Sequence, residues 1–264
     1  MYAKKHLGQH FLKDKSVVNR ILDAVEATEN EAFLEIGPGP ATLTAPFSDR
    51  GFPLTVVEYD KDMVTYLRSL TWSQPLEVIQ ADFMDVDLST LIQGPTKVFS
   101  NLPYNVSVPI TARLLHFSHH IPLMVMMYQK EVAIRIRSAN NSRDYGPISI
   151  LCALFYEIDW HMDVKPGAFH PPPKVMSQVM RFRRRETPLL DLAHLDRFSQ
   201  LVRFLFNHRR KMIGSNLKKW TEDWTNSQTL LESLNKIGLQ PTLRPENLSV
   251  NQYVDWFHEV LGVI

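Results

Sequence analysis

The sequence predicts an α/β protein: a doubly wound, mainly parallel sheet with helices on both faces, followed by a small all-helical domain. Two observations carry this prediction. Short apolar runs alternate with segments of helical periodicity through the first two thirds of the chain, which is typical of parallel sheets. From about Glu186 onward the strand signals stop and amphipathic helical segments take over. We therefore predict two domains, residues 1–185 and residues 186–264.

The predicted elements follow in order along the chain. A first helix is predicted from Ser16, a suitable N-cap, because residues 17–27 place apolar side chains at helical spacing. Residues 146–156 form a further apolar stretch. In the tail, residues 195–206 and 227–236 are amphipathic, and Gly238 is a candidate C-cap. The predicted strands are the short apolar runs 33–36, 54–57, 76–79, 98–99 and 123–127, and the alternating run 175–182.

Composition excludes several classes of protein. The chain has 264 residues, 44% of them hydrophobic, which is enough for one α/β domain and a smaller one. Its one cysteine, Cys152, excludes an intramolecular disulfide and suits a reducing compartment. No run of about 18 apolar residues is present, and the charged segment after Met1 leaves no room for a cleavable signal. We expect no membrane span and a cytoplasmic location.

The positive charges are concentrated although the formal net charge is only +1. Residues 197–219 contain seven Lys or Arg and no Asp or Glu, and residues 181–185 read Arg-Phe-Arg-Arg-Arg. Such segments favour binding of a polyanion on one face. A solvated helix face would have the same composition, so charge alone leaves both interpretations open.

A glycine loop follows the first predicted strand. Residues 35–42 read Glu-Ile-Gly-Pro-Gly-Pro-Ala-Thr and open a helix, at the place where open α/β sheets bind ligands. The glycines, Gly37 and Gly39, allow close approach of a ligand to the backbone. Pro38 and Pro40 carry no N–H, which disfavours a pyrophosphate cradle and hence a dinucleotide.

Acidic residues follow the next two strands. Glu58 ends the second, where a carboxylate can accept hydrogen bonds from both hydroxyls of a ribose. Asp82 follows the third, where it could accept from an adenine amino group while Phe83 packs on the ring. Each acid alone is more often a helix cap. Together with the glycine loop they predict a nucleoside ligand without a pyrophosphate, and S-adenosylmethionine fits that description.

The segment after the fourth of these strands, together with other motifs along the chain, matches the sequence pattern of a known family. The sequence closely resembles the ribosomal RNA adenine dimethyltransferases, which methylate the exocyclic amine of adenine twice with S-adenosylmethionine. The resemblance covers nearly the whole chain and implies a Rossmann-like methyltransferase sheet with a helical C-terminal RNA-binding domain. The segments that carry it are 4–12 (KKHLGQHFL), 35–39 (EIGPG), 58–60 (EYD), Asp82, 101–105 (NLPYN), 145–147 (YGP), 166–175 (PGAFHPPPKV), 209–211 (RRK) and 244–249 (RPENLS).

The resemblance assigns the cofactor contacts to matching positions of this chain. They are His10, Leu12, Gly37, Glu58, Asp82 and Asn101. Two positions depart from the family pattern. His10 stands where Asn is usual, which would alter a contact made through the side chain but not one made through the backbone. Ala41 replaces the third glycine of the commoner loop, a change between two small residues.

The resemblance also assigns the catalytic positions Asn101, Leu102, Pro103, Tyr104 and Phe169. The adenine amine is a poor nucleophile, and two acceptors for its protons would aim its lone pair at the methyl group. We assign these acceptors to the Asn101 side chain and the Leu102 carbonyl, whose direction Pro103 restricts. Tyr104 and Phe169 would stack on the flipped base. No general base is assigned.

The implied substrate is a pair of adjacent adenines in the 3′-terminal hairpin of small-subunit (16S) ribosomal RNA, free or in the 30S pre-ribosomal particle. Arg183–Arg185 and a predicted helix over Arg203–Lys219 would hold its phosphates. We expect a monomer without metal, since no Cys pair accompanies the ten histidines. Two alternatives stay open: a resistance-type enzyme acting on large-subunit RNA, and a non-catalytic RNA-binding assembly factor.

Overall fold

The computed structural model describes residues 10–262. The N-terminal motif positions 4–9, with the basic residues Lys4 and Lys5, lie outside the described residues. The chain divides into two compact units. The first comprises the described residues up to Ala133 together with Glu157–Arg184, and the second comprises Ile134–Tyr156 together with the residues from Arg185 onward.

The strands and helices are short and alternate along the chain. The strands are β1 (Phe11–Leu12), β2 (Ala32–Ile36), β3 (Leu54–Glu58), β4 (Leu76–Gln80), β5 (Thr96–Asn101), β6 (Leu123–Gln129), β7 (Tyr156–Val164), β8 (Phe169–His170) and β9 (Ser177–Arg184). The helices are α1 (Lys15–Ala24), α2 (Thr44–Ser48), α3 (Lys61–Ser69), α4 (Leu88–Leu91), α5 (Ser107–Leu114), α6 (Lys130–Ile136), α7 (Pro147–Phe155), α8 (Leu195–Phe206), α9 (Ile213–Leu217), α10 (Ser227–Lys236) and α11 (Val250–Leu261).

Seven strands form one sheet in the order β4-β3-β2-β5-β6-β9-β7. The five strands from β4 to β6 run parallel to one another, and β9 is antiparallel to β6. Parallel pairing places the carboxyl ends of β2, β3, β4 and β5 at one edge of the sheet. This confirms the predicted α/β class and brings together the strand ends that the sequence singled out.

The interior of the sheet explains why the strands read as apolar runs rather than as alternating ones. Val98 and Phe99 on β5 and Val56 on β3 are fully buried, and β6 is buried along its length except for its last residue. The Phe47 ring of α2 packs on Phe99 with 4.8 Å between ring centroids. Strands covered on both faces lose the polar positions of a half-exposed strand.

The N-terminal segment is attached by a two-residue ladder. Strands β1 and β8 pair antiparallel, with Phe11 opposite His170 and Leu12 opposite Phe169. The first helix begins earlier than predicted, because Asp14 rather than Ser16 is its N-cap. The Asp14 carboxylate accepts from the backbone N–H groups of Ser16 and Val17 at 2.9 and 3.3 Å.

In the second unit the apolar stretch 146–156 forms the helix α7, which packs with α8 and α11. This packing groups residues 134–156 with the tail, whereas the predicted division placed them in the first domain. The division near residue 185 stays a prediction. Helices α8 and α10 have the predicted bounds, and Gly238 follows α10 with a positive φ of +76°.

The predicted helix over Arg203–Lys219 is wrong. Helix α8 ends at Phe206, and α9 begins only at Ile213. The Asn216 side-chain amide donates to the carbonyl oxygens of Leu205 and His208, which closes the end of α8. Among residues 10–262, no helix is both long and apolar enough to cross a membrane.

Candidate functional site

A cavity of about 310 Å³ lies at the carboxyl ends of the parallel strands in the first unit. Its lining includes nine of the ten residues expected in the cofactor and catalytic sites. These positions are His10, Leu12, Gly37, Glu58, Asp82, Asn101, Leu102, Pro103 and Tyr104. Phe169 does not line the cavity.

The glycine loop forms one wall with an unusual backbone. Gly37, Gly39 and Ala41 have positive φ angles of +66°, +54° and +67°. A Cβ atom on Gly39 would lie 3.4 Å from the Phe11 ring, and one on Gly37 would contact the Pro103 ring at 3.7 Å. The bare glycines therefore let β1 and the segment after β5 approach the loop. Ala41 also has a left-handed backbone conformation, which is unfavourable for a residue with a Cβ atom. Alanine in place of glycine therefore lowers the stability of the loop, although the loop accommodates it.

Glu58 is fixed by the backbone around it. One carboxylate oxygen accepts from the Gly39 N–H at 2.9 Å, and the other accepts from the Asp60 N–H at 2.7 Å. The side chain is 6% exposed, and burial raises its pKa above the ordinary value while these hydrogen bonds oppose the shift. A carboxylate held in this way has a set direction into the cavity and can accept from hydroxyl donors.

Asp82 is exposed and accepts from the Met84 N–H at 2.8 Å. The neighbouring Phe83 was expected to pack on an adenine ring, yet it is 5% exposed and does not line the cavity. The Arg113 guanidinium lies 5.9 Å from the Phe83 ring centroid instead. Tyr59 lines the cavity with 61% of its surface exposed. Its aromatic side chain directly after an acidic strand end is the signal that could have identified it.

A second buried carboxylate, Glu35, also lines the cavity and was not predicted as a site residue. It is 2% exposed and accepts from the Thr44 hydroxyl at 2.7 Å. Burial raises the pKa of Glu35 to about 8, and the nearby Glu58 carboxylate adds to the shift. Its position at the end of an apolar run, just before the loop, is the sequence signal for it.

Asn101 is the last residue of β5, and a hydrogen bond fixes the orientation of its side-chain amide. Its Nδ2 donates to the His10 carbonyl oxygen at 3.2 Å. Because the nitrogen end is taken up by that carbonyl, the Oδ1 end is the acceptor that the side chain offers. His10 thus contributes through its backbone, and its ring Nδ1 donates to the Pro171 carbonyl oxygen at 2.8 Å. The contact to Asn101 does not depend on which side chain stands at position 10.

Tyr104 is half-buried at the cavity and is held at both ends. Its hydroxyl lies 2.7 Å from the Ser177 hydroxyl, and its ring lies 5.5 Å from the His10 ring, centroid to centroid. Burial raises the Tyr104 pKa, so the phenol stays protonated at neutral pH. Its ring is positioned as a platform in the cavity wall.

Phe169 lies in β8 and is 1% exposed, within the hydrophobic core. Leu12 lies opposite it in the β1–β8 ladder and belongs to the same core. A stacking role for Phe169 therefore stays a prediction, whereas its packing role is visible.

The arginines expected to hold phosphates at 183–185 have partners within the protein. Arg183 pairs with the Glu26 carboxylate at 2.5 Å, Arg184 donates to the His119 carbonyl oxygen, and Arg185 donates to the Ala153 carbonyl oxygen at 2.9 Å. Each of these interactions lies within one unit. Over residues 10–262, no group of three or more His, Cys, Asp or Glu side chains is arranged to hold a metal ion.

The cavity fits the nucleoside ligand that the sequence predicts. It joins a bare glycine loop, two acidic side chains on successive strand ends and an apolar wall that includes Phe11 and Leu12. Gly39 and Glu58 are linked directly by a hydrogen bond, so the loop and the acid form one structure. The donors and acceptors match a ribose, an adenine amine and an uncharged linkage between them, as in S-adenosylmethionine.

Comparisons with known proteins agree with this site. The family model described as ribosomal RNA adenine dimethylase matches residues 1–260. A ribosomal RNA small subunit methyltransferase A from Shewanella loihica is 37% identical, over 96% of this chain and 92% of the relative.

Two solved structures are similar over nearly the whole chain. The 23S rRNA methyltransferase ErmE has a TM-score of 0.67 and 25% identity, covering 95% of this chain and 99% of that one. A dimethyladenosine transferase from Plasmodium falciparum has a TM-score of 0.79 and 21% identity, covering 96% and 98%, and supports the fold.

Proposed function

The chain belongs to the ribosomal RNA adenine dimethylase family, and we propose that it dimethylates two adjacent adenines in the 3′-terminal hairpin of small-subunit ribosomal RNA. As a member of that family the protein is an rRNA adenine dimethyltransferase that uses S-adenosylmethionine. The choice of subunit and of adenines is the proposal. The similarity to a small subunit methyltransferase A supports it.

The orientation of Asn101 is the observation that carries the catalytic assignment. With Nδ2 held by the His10 carbonyl, Oδ1 can accept one proton of the target amine. The Leu102 carbonyl is proposed as the second acceptor. Two acceptors favour a pyramidal amine whose lone pair is available for attack, so the chain acts through positioning and electrostatics. The proton released by the amine passes to solvent.

The cofactor contacts are proposed for the residues around the glycine loop. S-adenosylmethionine, when bound, supplies an electrophilic methyl group. Glu58 would accept from the ribose hydroxyls and Asp82 from the adenine amine. Gly37, which has no side chain, would let the ligand approach the protein backbone closely. His10 and Leu12 would close the cavity from the side of β1. Tyr104 and Phe169 are proposed to stack on the flipped base. The structural support is stronger for Tyr104, because Tyr104 lines the cavity and Phe169 does not.

The substrate is proposed to be free small-subunit RNA or the 30S pre-ribosomal particle. We also propose that the enzyme takes part in assembly of the small subunit. The reaction would take place in the cytoplasm with the protein as a monomer and without metal. A large-subunit substrate is a second candidate, because ErmE is a 23S rRNA methyltransferase of the same fold at 25% identity. A purely non-catalytic role is disfavoured, since Glu58, Asp82 and Asn101 are all retained around one cavity.

The decisive experiment presents both candidate substrates at once. The protein is incubated with labelled S-adenosylmethionine and with unmethylated small and large subunits, and modified bases are mapped by mass. We expect label on two adjacent adenines of small-subunit RNA. Label confined to large-subunit RNA would support the second candidate, and the absence of label would contradict both.

A further inference from the structure

The second unit contains a cavity of its own, of about 600 Å³. Arginines dominate its lining: Arg135, Arg143, Arg203 and Arg209 are opposed by Asp144 as the one carboxylate of the lining. The cavity also includes Gly146 and Pro147 at the start of α7. All these residues belong to the second unit, so the cavity is formed without the first.

Arg209 builds the rim of this cavity. Its Nε donates to the Glu246 carboxylate at 2.6 Å, and one terminal nitrogen donates to the Arg143 carbonyl oxygen at 2.7 Å. The other terminal nitrogen lies 3.4 Å from the Ser142 carbonyl oxygen. Arg209 is therefore neutralised by Glu246 and holds the loop that precedes α7.

Arg143 and Arg203 are available for a ligand. Both side chains are exposed, and among residues 10–262 neither makes a hydrogen bond or an ion pair. Long like-charged side chains around one cavity repel each other unless an anion lies between them. The two guanidinium groups present donors in the fork geometry that matches a phosphate.

The start of α7 adds partial positive charge to the same place. The helix has nine residues and its N-cap is Gly146, whose own N–H donates to the Ser149 hydroxyl at 3.1 Å. Gly146 has no side chain that could accept from the first-turn N–H groups. Pro147 occupies the first helical position and carries no N–H. The remaining N–H groups of the first turn and the helix dipole favour an anion at this end.

Tyr145 supplies a further donor that the protein does not use. The side chain is 1% exposed and lines the cavity, and its hydroxyl has no hydrogen-bond partner. Leaving a buried hydroxyl unpaired is costly, and such a group in a native structure calls for a partner. Burial raises the Tyr145 pKa well above the ordinary range, so the hydroxyl keeps its proton and can donate it.

We propose that this cavity binds one phosphate group of the RNA backbone, held by Arg143, Arg203, the start of α7 and the Tyr145 hydroxyl. The inference rests on the proposed function only for the source of the phosphate. It also gives a shared purpose to three segments outside the cofactor cavity. Residues 145–147 line the site, Arg209 shapes it, and Glu246 in the segment 244–249 fixes Arg209.

The test compares arginine substitutions in the cavity with one elsewhere on α8, and the single variants Arg203→Gln and Arg197→Gln lose the same charge. Arg143→Gln/Arg203→Gln removes the two available guanidinium groups, and Arg197→Gln removes an exposed arginine that lies on α8 outside the cavity lining. Fluorescence anisotropy measures the Kd for unmethylated small-subunit RNA at several salt concentrations. We expect the double variant to bind at least about tenfold more weakly and with a shallower salt dependence, and Arg197→Gln to remain near wild type.

A second variant probes the hydroxyl alone. Tyr145→Phe should weaken RNA binding by about threefold without lowering the thermal midpoint, because the hydroxyl has no partner within the protein. Should the double variant unfold, Arg203→Gln decides by the same comparison with Arg197→Gln. An affinity and a salt dependence of the cavity variants equal to those of Arg197→Gln would overturn the proposal.

A further arm separates RNA from a free anion. Thermal unfolding is followed with inorganic phosphate as the probe. Suppose that phosphate stabilises the wild type but not the double variant, while the double variant binds RNA as tightly as the wild type does. This result would assign the cavity to a free anion and overturn the RNA assignment. The readout is binding rather than methyl transfer, so wild-type protein that binds RNA but labels no small-subunit adenine would contradict the proposed function and leave this comparison decisive.

Discussion

The Asn101 side chain donates from Nδ2 to the backbone carbonyl oxygen of His10, over 3.2 Å. This bond joins the end of β5 to a residue 91 positions earlier in the chain. It sets which end of the amide faces the cavity, and it does so through a main-chain atom. The orientation of the proposed acceptor therefore depends on the placement of the N-terminal segment.

Replacement of Asn101 by Ala should abolish most methyl transfer and leave RNA affinity nearly unchanged. The variant loses the side-chain acceptor for the target amine but no basic residue. Loss of one preorganised polar group at a reacting atom typically costs about a hundredfold or more in rate. Single-turnover transfer and RNA Kd are the measurements, with Asn19→Ala on the exposed side of α1 as control. An unchanged transfer rate would mean that the acceptor is misplaced.

Replacement of Glu58 by Gln should weaken S-adenosylmethionine binding by about tenfold or more. In the wild type both carboxylate oxygens accept backbone N–H groups, from Gly39 and Asp60. Gln offers one acceptor and turns an NH₂ group toward an N–H donor, so the loop and the proposed ribose contact are both disturbed. Calorimetry measures the affinity. Glu77→Gln on the exposed side of β4 is the matched control, and equal affinities for the two variants would contradict the role of Glu58.

The pKa of Glu35 predicts a pH dependence of stability. Below about pH 4.5 the carboxyl is protonated in both the folded and the unfolded state, and stability is complete. Between this pH and about 8 only the unfolded state ionises, so the free energy of unfolding falls by up to about 1.4 kcal/mol per pH unit. Above about 8 the loss levels off. Glu35→Gln should remove this component, because the amide does not ionise and its oxygen can still accept from Thr44.

Denaturant titrations of the wild type and Glu35→Gln, without cofactor and between pH 5 and 9, measure the difference. We expect the variant to gain stability relative to the wild type as the pH rises. Parallel pH profiles for the two proteins would show that Glu35 ionises normally in the folded state.

Replacement of Phe169 by Ala should lower the free energy of unfolding by about 3–5 kcal/mol, as for other fully buried Phe side chains. The ring is 1% exposed and packs in the core. A thermal midpoint equal to that of the wild type would contradict this burial. Phe169→Leu keeps most of the apolar volume and separates the two roles. Loss of methyl transfer at an unchanged midpoint would assign Phe169 to base stacking, and normal transfer would leave it a core residue.

Much of the cofactor cavity was predictable because its residues follow parallel strands. The runs before Gly37, Glu58 and Asn101 are short and apolar, and a parallel sheet brings their ends to one edge. Short apolar runs separated by segments of period 3.6, together with a topology rule, are sufficient for that step. The fold class and most site residues followed from these local signals and from the family resemblance.

The remaining features depend on contacts that no local pattern encodes. The pairing of Leu12 with Phe169 joins two-residue strands that lie far apart in the chain, so the burial of Phe169 could not be read from its neighbours. The stretch 146–156 is apolar throughout, and a short buried helix and a buried strand then have the same composition. The partners of Arg183–Arg185 are set by tertiary structure as well.

The two-residue ladder between β1 and β8 couples cofactor affinity to the local unfolding equilibrium of the N-terminal segment. Phe11 and Leu12 line the cavity, and few backbone contacts hold this segment: the ladder to residues 169–170, the Lys13 N–H bond to Ala168 and the Asn101 bond to His10. A ligand that contacts these side chains binds the folded N-terminal segment and not the locally unfolded one. Its binding free energy therefore stabilises the ladder against local unfolding. Amide hydrogen exchange at Leu12 and Lys13 should then slow in proportion to the ligand's occupancy, while exchange in the centre of β6 stays the same.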